Sequence, residues 1–221
     1  MAGSLGTLGK GWDARVARVF AAAELDVADR AGFSDLLDQV VIWNRRHNLT
    51  AARDPDELVD LYLADAAWLA KLGAPLVADE DSPSRNAWLD VGSGGGAPGL
   101  PLGLLMPTLH LTLVEPRDKR VAFLRSMVGR LKLTRAQVLR QRSDTLPDQS
   151  AAVALARATL PPPEWLREGA RLARRAVWVL LAKEPAPELA GWRLEQLTAY
   201  TWPLTGFERS LALYVPESGA R

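Results

Sequence analysis

The sequence predicts an α/β fold, a doubly wound and mainly parallel sheet, preceded by a helical N-terminal extension. Three observations lead there. In the first third of the chain apolar residues recur at intervals of three and four, the period of an amphipathic helix. Beyond residue 85 the pattern becomes short apolar runs separated by helical stretches, as in successive βαβ units. The first of those runs, Trp88-Leu89-Asp90-Val91, ends in a cluster of glycines, as a buried parallel strand of this class does.

Element by element, residues 13–23 read as an Ala-rich amphipathic helix, and 35–46 as a second one on which Leu36, Leu37, Val40 and Val41 line up. A third, over 55–72, starts after Asp54 as N-cap with Pro55 at its first position. Its stripe is Leu58, Leu61, Tyr62, Asp65, Trp68, Leu69 and Leu72. The polar stretch Asp79-Glu80-Asp81-Ser82-Pro83-Ser84-Arg85 reads as a linker. It divides an extension over 1–78, packed on the core, from a ligand-binding domain over 86–221. In that domain strands are expected at 88–91, 110–115, 137–139, 152–155, 176–181, 193–200 and 210–215. Helices are expected at 98–106, 119–131 and 163–174.

At 221 residues the chain can bury one domain core with a small appendage. Its 48% hydrophobic and 24% charged residues are the balance of a soluble globular protein. It carries no run of about 18 apolar residues that could span a membrane, and Met1 to Gly6 do not open a secretion signal. The expected location is the cytoplasm. The absence of cysteine excludes disulfides and thiolate-bound metal. His47 and His110 are too few for an all-protein metal centre, so no metal is expected. The net charge of +1 argues against nonspecific coating of nucleic acid but leaves RNA open as a substrate, because charge distribution matters more. Arginine clusters at Arg45-Arg46, Lys119-Arg120, Arg140/Arg142 and Arg171/Arg174-Arg175 offer forked donors for phosphate and base edges, or are simply solvated helix faces.

The strongest local signal is Leu89-Asp90-Val91-Gly92-Ser93-Gly94-Gly95-Gly96-Ala97-Pro98-Gly99. Such a loop, at a strand's carboxyl end, brings backbone against a ligand without Cβ interference. Glu115 ends the next strand, where a carboxylate can accept from ribose hydroxyls. The run from Gly92 to Ala97 also fits the dinucleotide fingerprint G-x-G-x-x-A. Two features favour S-adenosylmethionine over a dinucleotide. Asp90 would repel a pyrophosphate but suits the donor's ammonium or an orienting water. Pro98 and Pro101 leave the following turn fewer N–H donors for phosphate.

Asp90 through Leu102 resembles the Asp-Val-Gly-Thr/Ser-Gly-x-Gly-x-Pro-Gly-x-Pro-Leu run of the bacterial small-subunit ribosomal RNA guanine-N7 methyltransferases, also called the glucose-inhibited division protein B family. Trp43-Asn44 with Asn48-Leu49-Thr50 is similar to that family's Trp-Asn-x-x-x-Asn-Leu-Thr signature, and Lys119-Arg120 with Phe123-Leu124 to its Lys-Arg-x-x-Phe-Leu segment. The resemblance extends over most of 35–215. It implies a class I, Rossmann-like methyltransferase fold and transfer of a methyl group from S-adenosylmethionine to N7 of a guanine in 16S ribosomal RNA. The implied donor-binding residues are Asp90, Gly92, Gly94, Gly96, Ala97, Glu115, Ser143, Asp144 and Arg157. Arg157 also matches the arginine of the family's Ser-Arg-Ala motif and is the candidate catalytic residue. Arg45, Lys119, Arg120 and Lys183 are the candidate RNA contacts. The expected partner is ribosomal RNA or the small ribosomal subunit, with the chain a monomer. Three positions depart from the family pattern: Tyr62 replaces histidine, Ala156 replaces serine and Glu184 replaces glycine. They keep open a same-fold enzyme with a different substrate, or an inactive donor-binding module on RNA.

The chemistry fits so plain a residue inventory. Guanine N7 has an in-plane lone pair and no proton to lose, so its methylation needs positioning rather than a base. A cytosine-C5 enzyme would need a nucleophilic cysteine, which is absent. Arg157 cannot grip O6 and N7 together, the usual arginine–guanine pair, without covering the nucleophile; it is left O6, a phosphate, the donor carboxylate, or a structural ion pair. His47 reads as a helix-end residue, and Trp43, Trp68, Trp88 and Trp178 as core.

Overall fold

A computed structural model of the chain describes residues 5–77 and 84–217, so most of the polar stretch at 79–85 lies outside the described residues. The strands β1 (Ala87–Val91), β2 (His110–Val114), β3 (Ala136–Leu139), β4 (Ala151–Ala156), β5 (Ala173–Leu181), β6 (Trp192–Thr201) and β7 (Glu208–Pro216) form one sheet in the order β3-β2-β1-β4-β5-β7-β6. The first five run parallel, and β7 pairs antiparallel with both β5 and β6. Chain order reverses between β1 and β4, the switch point at which open α/β sheets leave a crevice beyond their carboxyl ends.

The helices α1 (Asp13–Ala22), α2 (Ala31–His47), α3 (Pro55–Val59), α4 (Asp65–Gly73), α5 (Gly99–Leu105), α6 (Asp118–Arg130) and α7 (Pro162–Leu172) complete the fold. Successive strand residues face opposite sides, so each face of the sheet has its own core. On one face Leu89, Val91 and Val177 meet Trp165 and Leu166 of α7. On the other, Trp88, Leu111, Leu155 and Trp178 join Leu100, Phe123 and the N-terminal residues Trp12, Phe20, Leu36, Leu63 and Leu69. The N-terminal helices therefore share a core with the sheet. Every residue of β4 is buried, because strands flank it and both faces are covered. No helix among the described residues is long and apolar enough to cross a membrane.

Two expected helices need correction. The helix over 55–72 is interrupted by a π turn, Asp60–Ala64, between α3 and α4. Its start is as expected: the Asp54 carboxylate accepts from the Glu57 N–H at 2.9 Å, with Pro55 in the first turn. The π turn has a tertiary cause. Asp60, fully buried, accepts from the N–H groups of Leu204 and Thr205 and from the Thr205 hydroxyl, at 3.1, 2.8 and 2.8 Å. Meanwhile the Leu61 carbonyl accepts from Arg157; a wider i→i+5 turn leaves a carbonyl free for such a partner. The helix over 163–174 ends instead at Leu172, because Ala173 is already paired with Ala151 of β4.

Asp65, the first residue of α4 and 2% exposed, is the second tether. Its Oδ1 accepts from the Tyr200 hydroxyl at 2.6 Å and from Trp202 Nε1 at 2.8 Å, and its Oδ2 lies 3.4 Å from Arg157 Nη1. Asp65→Ala would strand a buried phenol, an indole N–H and a guanidinium at once. Breaking such a site costs roughly 3–5 kcal/mol, and each kcal/mol shifts the melting point of a chain this size by about 2–4 °C. Thermal unfolding of Asp65→Ala should therefore fall by about 6 °C or more; a shift of a degree or less would show that the tether carries no stability.

Candidate active site

The loop after β1 is fastened to β2 by the N–H groups of Gly92 and Ser93, which donate to the Val114 carbonyl at 2.8 and 3.1 Å. Its four glycines face different neighbours. Gly92 lies under the Thr159 side chain and Gly96 against Leu100. A Cβ on Gly95 would stand 2.5 Å from the Tyr62 hydroxyl and 2.9 Å from the Leu49 carbonyl, so close approach of the protein itself requires glycine there. Gly94 is the open one. Its φ is +56°, and the nearest foreign side-chain atom to a built Cβ is Arg120 Nη1 at 3.6 Å. That leaves a stretch of backbone facing outward, a cradle that a branched side chain would fill.

Glu115 follows β2 directly and is 3% exposed. Its Oε2 accepts from Gly94 N–H at 3.0 Å and its Oε1 from Arg117 N–H at 2.9 Å. The carboxylate thus sets the loop's shape, and each oxygen keeps acceptor capacity for a ligand hydroxyl. Ser143 and Asp144 lie in a 3-10 turn after β3. Asp144 is exposed and pairs with Arg142 at 3.1 Å, while Ser143 hydrogen-bonds the Glu168 side chain. Gly92, Gly94, Gly96, Ala97, Glu115, Ser143 and Asp144 are therefore gathered beyond the carboxyl ends of three adjacent strands, β1, β2 and β3.

Asp90, read from the sequence as a partner for a ligand's ammonium or an orienting water, is a buried residue. It is 1% exposed, beneath the loop against Gly99, and its Oδ2 has no hydrogen-bond partner. Burial pushes its carboxyl up to about 6. Tyr62 lies across from it under the same loop: 1% exposed, its hydroxyl donates to the Gly95 carbonyl at 2.9 Å. Tyr62 is a prop for the glycine loop.

Beside the loop, beyond the ends of β4 and β5, is a cavity of about 470 Å³. Arg157, Thr159, Leu160, Glu184, Tyr200, Trp202 and Arg209 contribute to its wall, with Leu61 and Asp65 from the helical layer. Arg157 is clamped by the Leu61 carbonyl and Asp65, yet a fifth of its side chain stays exposed. Thr159 connects the two halves of the site: its hydroxyl donates to the Val91 carbonyl at 3.0 Å and its side chain covers Gly92. The Arg209 guanidinium stacks 4.2 Å over the Trp202 ring.

Of the candidate RNA contacts, Arg45, Lys119 and Lys183 are exposed. Arg120 instead turns toward the loop, 3.9 Å from Glu115 Oε2, because the buried carboxylate attracts it. His47 is the last residue of α2, stacked on Trp43 at 5.3 Å. Asp60, Thr159, Tyr200, Trp202 and Arg209 were missed in the sequence reading. A signal for Asp65 was present, a carboxylate within an apolar helical stripe. Among the described residues, no three or more histidines, cysteines or carboxylates come together as metal ligands.

A family model described as rRNA small subunit methyltransferase G matches residues 29–189. The chain belongs to that family. This methyltransferase G match takes in the glycine loop, Glu115, Arg157 and Glu184, and stops short of Tyr200, Trp202 and Arg209. The ribosomal RNA small subunit methyltransferase G of Chloroflexus aggregans is 40% identical over 52% of this chain and 45% of its own length. That of Halorhodospira halophila is 39% identical over 62% and 61%. The chain spans about half the length of the relatives it matches. In fold it is similar to an O-methyltransferase from Bacillus cereus in complex with SAH, with a TM-score of 0.61 at 13% identity over 92% and 99% of the two chains. A SAM-dependent methyltransferase from Aquifex aeolicus gives 0.51 at 16% identity over 71% and 92%. These two likenesses establish the class I methyltransferase fold.

Asp90 makes stability depend on pH in a definite direction. Its folded carboxyl holds a proton up to about 6, whereas an unfolded aspartate releases it near 4. Between those values the folded state binds more protons, so this group's contribution falls as pH rises. Asp90→Asn, similar in shape and uncharged, should melt above the wild type at pH 8, with the gap closing toward pH 4. A gap that is constant or widens on acidification would contradict the buried, raised carboxyl.

Proposed function

We propose that the chain is an S-adenosylmethionine-dependent methyltransferase that transfers a methyl group to N7 of a guanine in 16S ribosomal RNA, naked or assembled in the small subunit. The observation that carries this is the shared Thr159: the residue that covers the donor loop also lines a base-sized cavity holding a clamped arginine. Family membership and the methyltransferase G names of its relatives support it. The residues fit the donor: a glycine backbone open at Gly94, and beside it the Glu115 carboxylate, an acceptor suited to ribose hydroxyls.

When bound, the donor supplies a methyl group on a sulfonium. The protein's part is to aim N7 at it and exclude water. The cavity holds no strong base: the Glu184 carboxyl on its wall is held below the usual range by backbone N–H groups, which makes it a weak one. Both Asp65 oxygens are engaged, and burial, with Asp65 beside it, pushes the Tyr200 phenol far above its ordinary range, where it stays a donor. That suits an acceptor atom with no proton to lose. Arg157 is held so that one nitrogen serves Leu61 and Asp65, which leaves the rest of its fork for guanine O6 or a phosphate and keeps it off N7. Lys119, Lys183 and Arg45 would meet the RNA backbone outside the site. The helical extension supplies the cavity's other wall through Leu61 and Asp65, and the protein works as a cytoplasmic monomer without a metal.

Single-turnover assays at saturating donor and small-subunit RNA should yield 7-methylguanosine at a rate nearly flat between pH 6 and 7.5. His47→Ala should stay within about tenfold of wild type, below the hundredfold or more typical of losing a general base. Arg157→Ala should lose at least about a hundredfold. A rate that climbs through pH 6–7 and loses that climb in His47→Ala, or a product other than 7-methylguanosine, would overturn the reading.

A further inference from the structure

We propose that Glu184 reads the Watson–Crick edge of the target guanine, accepting from N1–H and the 2-amino group while Arg157 holds O6. The inference rests on the guanine reading above and adds a base contact at a position where the family usually carries glycine. Glu184 and Arg157 reach the same cavity from neighbouring strands, Glu184 after β5 and Arg157 after β4.

Glu184 is anchored rather than loose. Its Oε2 accepts from the N–H groups of Ala182 and Lys183, both at 3.0 Å. The N–H groups of Glu184 itself, Lys183 and Ala182 hold its carboxyl below the usual range. Its side chain is exposed on the cavity wall. The cavity wall thus presents an anchored, ionised, acceptor-only group.

Among the four bases, guanine alone places two adjacent donors on that edge. Adenine and cytosine would set a ring-nitrogen lone pair against the carboxylate, and uracil has a single N–H between two carbonyls. A lone pair set against an ionised carboxylate is repelled, which disfavours the other bases. Next to N1, guanine O6 is an acceptor, and Arg157 is a donor-only fork with one nitrogen already committed. Arg209, 4.2 Å over the Trp202 ring and 5.5 Å over the Phe207 ring, adds a second guanidinium to the cavity wall.

Charge supports the same arrangement. Methylation leaves a positive charge on the purine, which Arg157 opposes; a carboxylate on the N1 side offsets it. N7 is on the far side of the ring from the 2-amino group, so Glu184 and Arg157 can hold the base without covering N7.

The test compares wild type, Glu184→Gln and Glu184→Gly on small-subunit RNA carrying guanosine or inosine at the methylated position, since inosine lacks only the 2-amino group. Wild type should lose about tenfold or more in kcat/KM on inosine, the loss expected for one hydrogen bond to a charged group. Both variants should lose at least about tenfold on guanosine and discriminate between the two RNAs by less than about threefold. Their melting points and affinities for S-adenosylhomocysteine should match wild type. Variants that methylate guanosine at the wild-type rate, or that keep full discrimination against inosine, would overturn the role of Glu184 while leaving the guanine reading intact. No 7-methylguanosine from wild type on guanosine RNA would defeat that reading, and this proposal with it.

Discussion

The buried carboxylate of Asp65 is the constraint on which the site depends. It joins three parts of the chain far apart in sequence: the helical layer to which it belongs, the β6–β7 hairpin through Tyr200 and Trp202, and the end of β4 through Arg157. Buried charges persist where they are paired and hydrogen-bonded, and Asp65 is both. The π turn just before it frees the Leu61 carbonyl for the same guanidinium. Arg157 is consequently set by two groups on one rigid element, which is how a side chain is kept in a fixed position.

The glycine-loop side is built on a similar plan. The glycine loop is held from below by Tyr62 at Gly95, from β2 by the Val114 carbonyl, and from Glu115 at Gly94. Tyr62 and Asp65 stand three residues apart on one bulged helix, so that helix supports the loop with one side chain and the cavity with another. A change in its packing would be felt in both. Thr159 repeats the connection from the β4 side.

How far the sequence discloses this depends on the range of the interaction involved. The parallel strands were legible because a strand buried on both faces is a nearly continuous apolar run, as Ala152 to Leu155 is. The glycine loop was legible because close backbone approach, by the protein itself at Gly92, Gly95 and Gly96, restricts residue type locally. The π turn was not, since Asp60 and Leu61 are drawn out of the α pattern by partners 145 and 96 residues away. The end of α7 was misread because a helix former such as Ala173 yields to pairing with β4. Arg120 reads as a surface cation until Glu115 is seen buried beside it. Glu184 shows only as a departure from a pattern, and its anchoring by two backbone N–H groups becomes visible once the turn after β5 is folded.

The central claim is that this protein forms 7-methylguanosine in small-subunit ribosomal RNA through a site organised around Arg157. It is tested most directly by mass-spectrometric mapping of modified nucleosides in that RNA from a strain deleted for the protein. The account predicts the loss of one 7-methylguanosine, restored by the wild-type gene and not by one encoding Arg157→Ala at equal protein level. Retention of every 7-methylguanosine in the deletion strain, or its restoration by the Arg157→Ala protein, would contradict it.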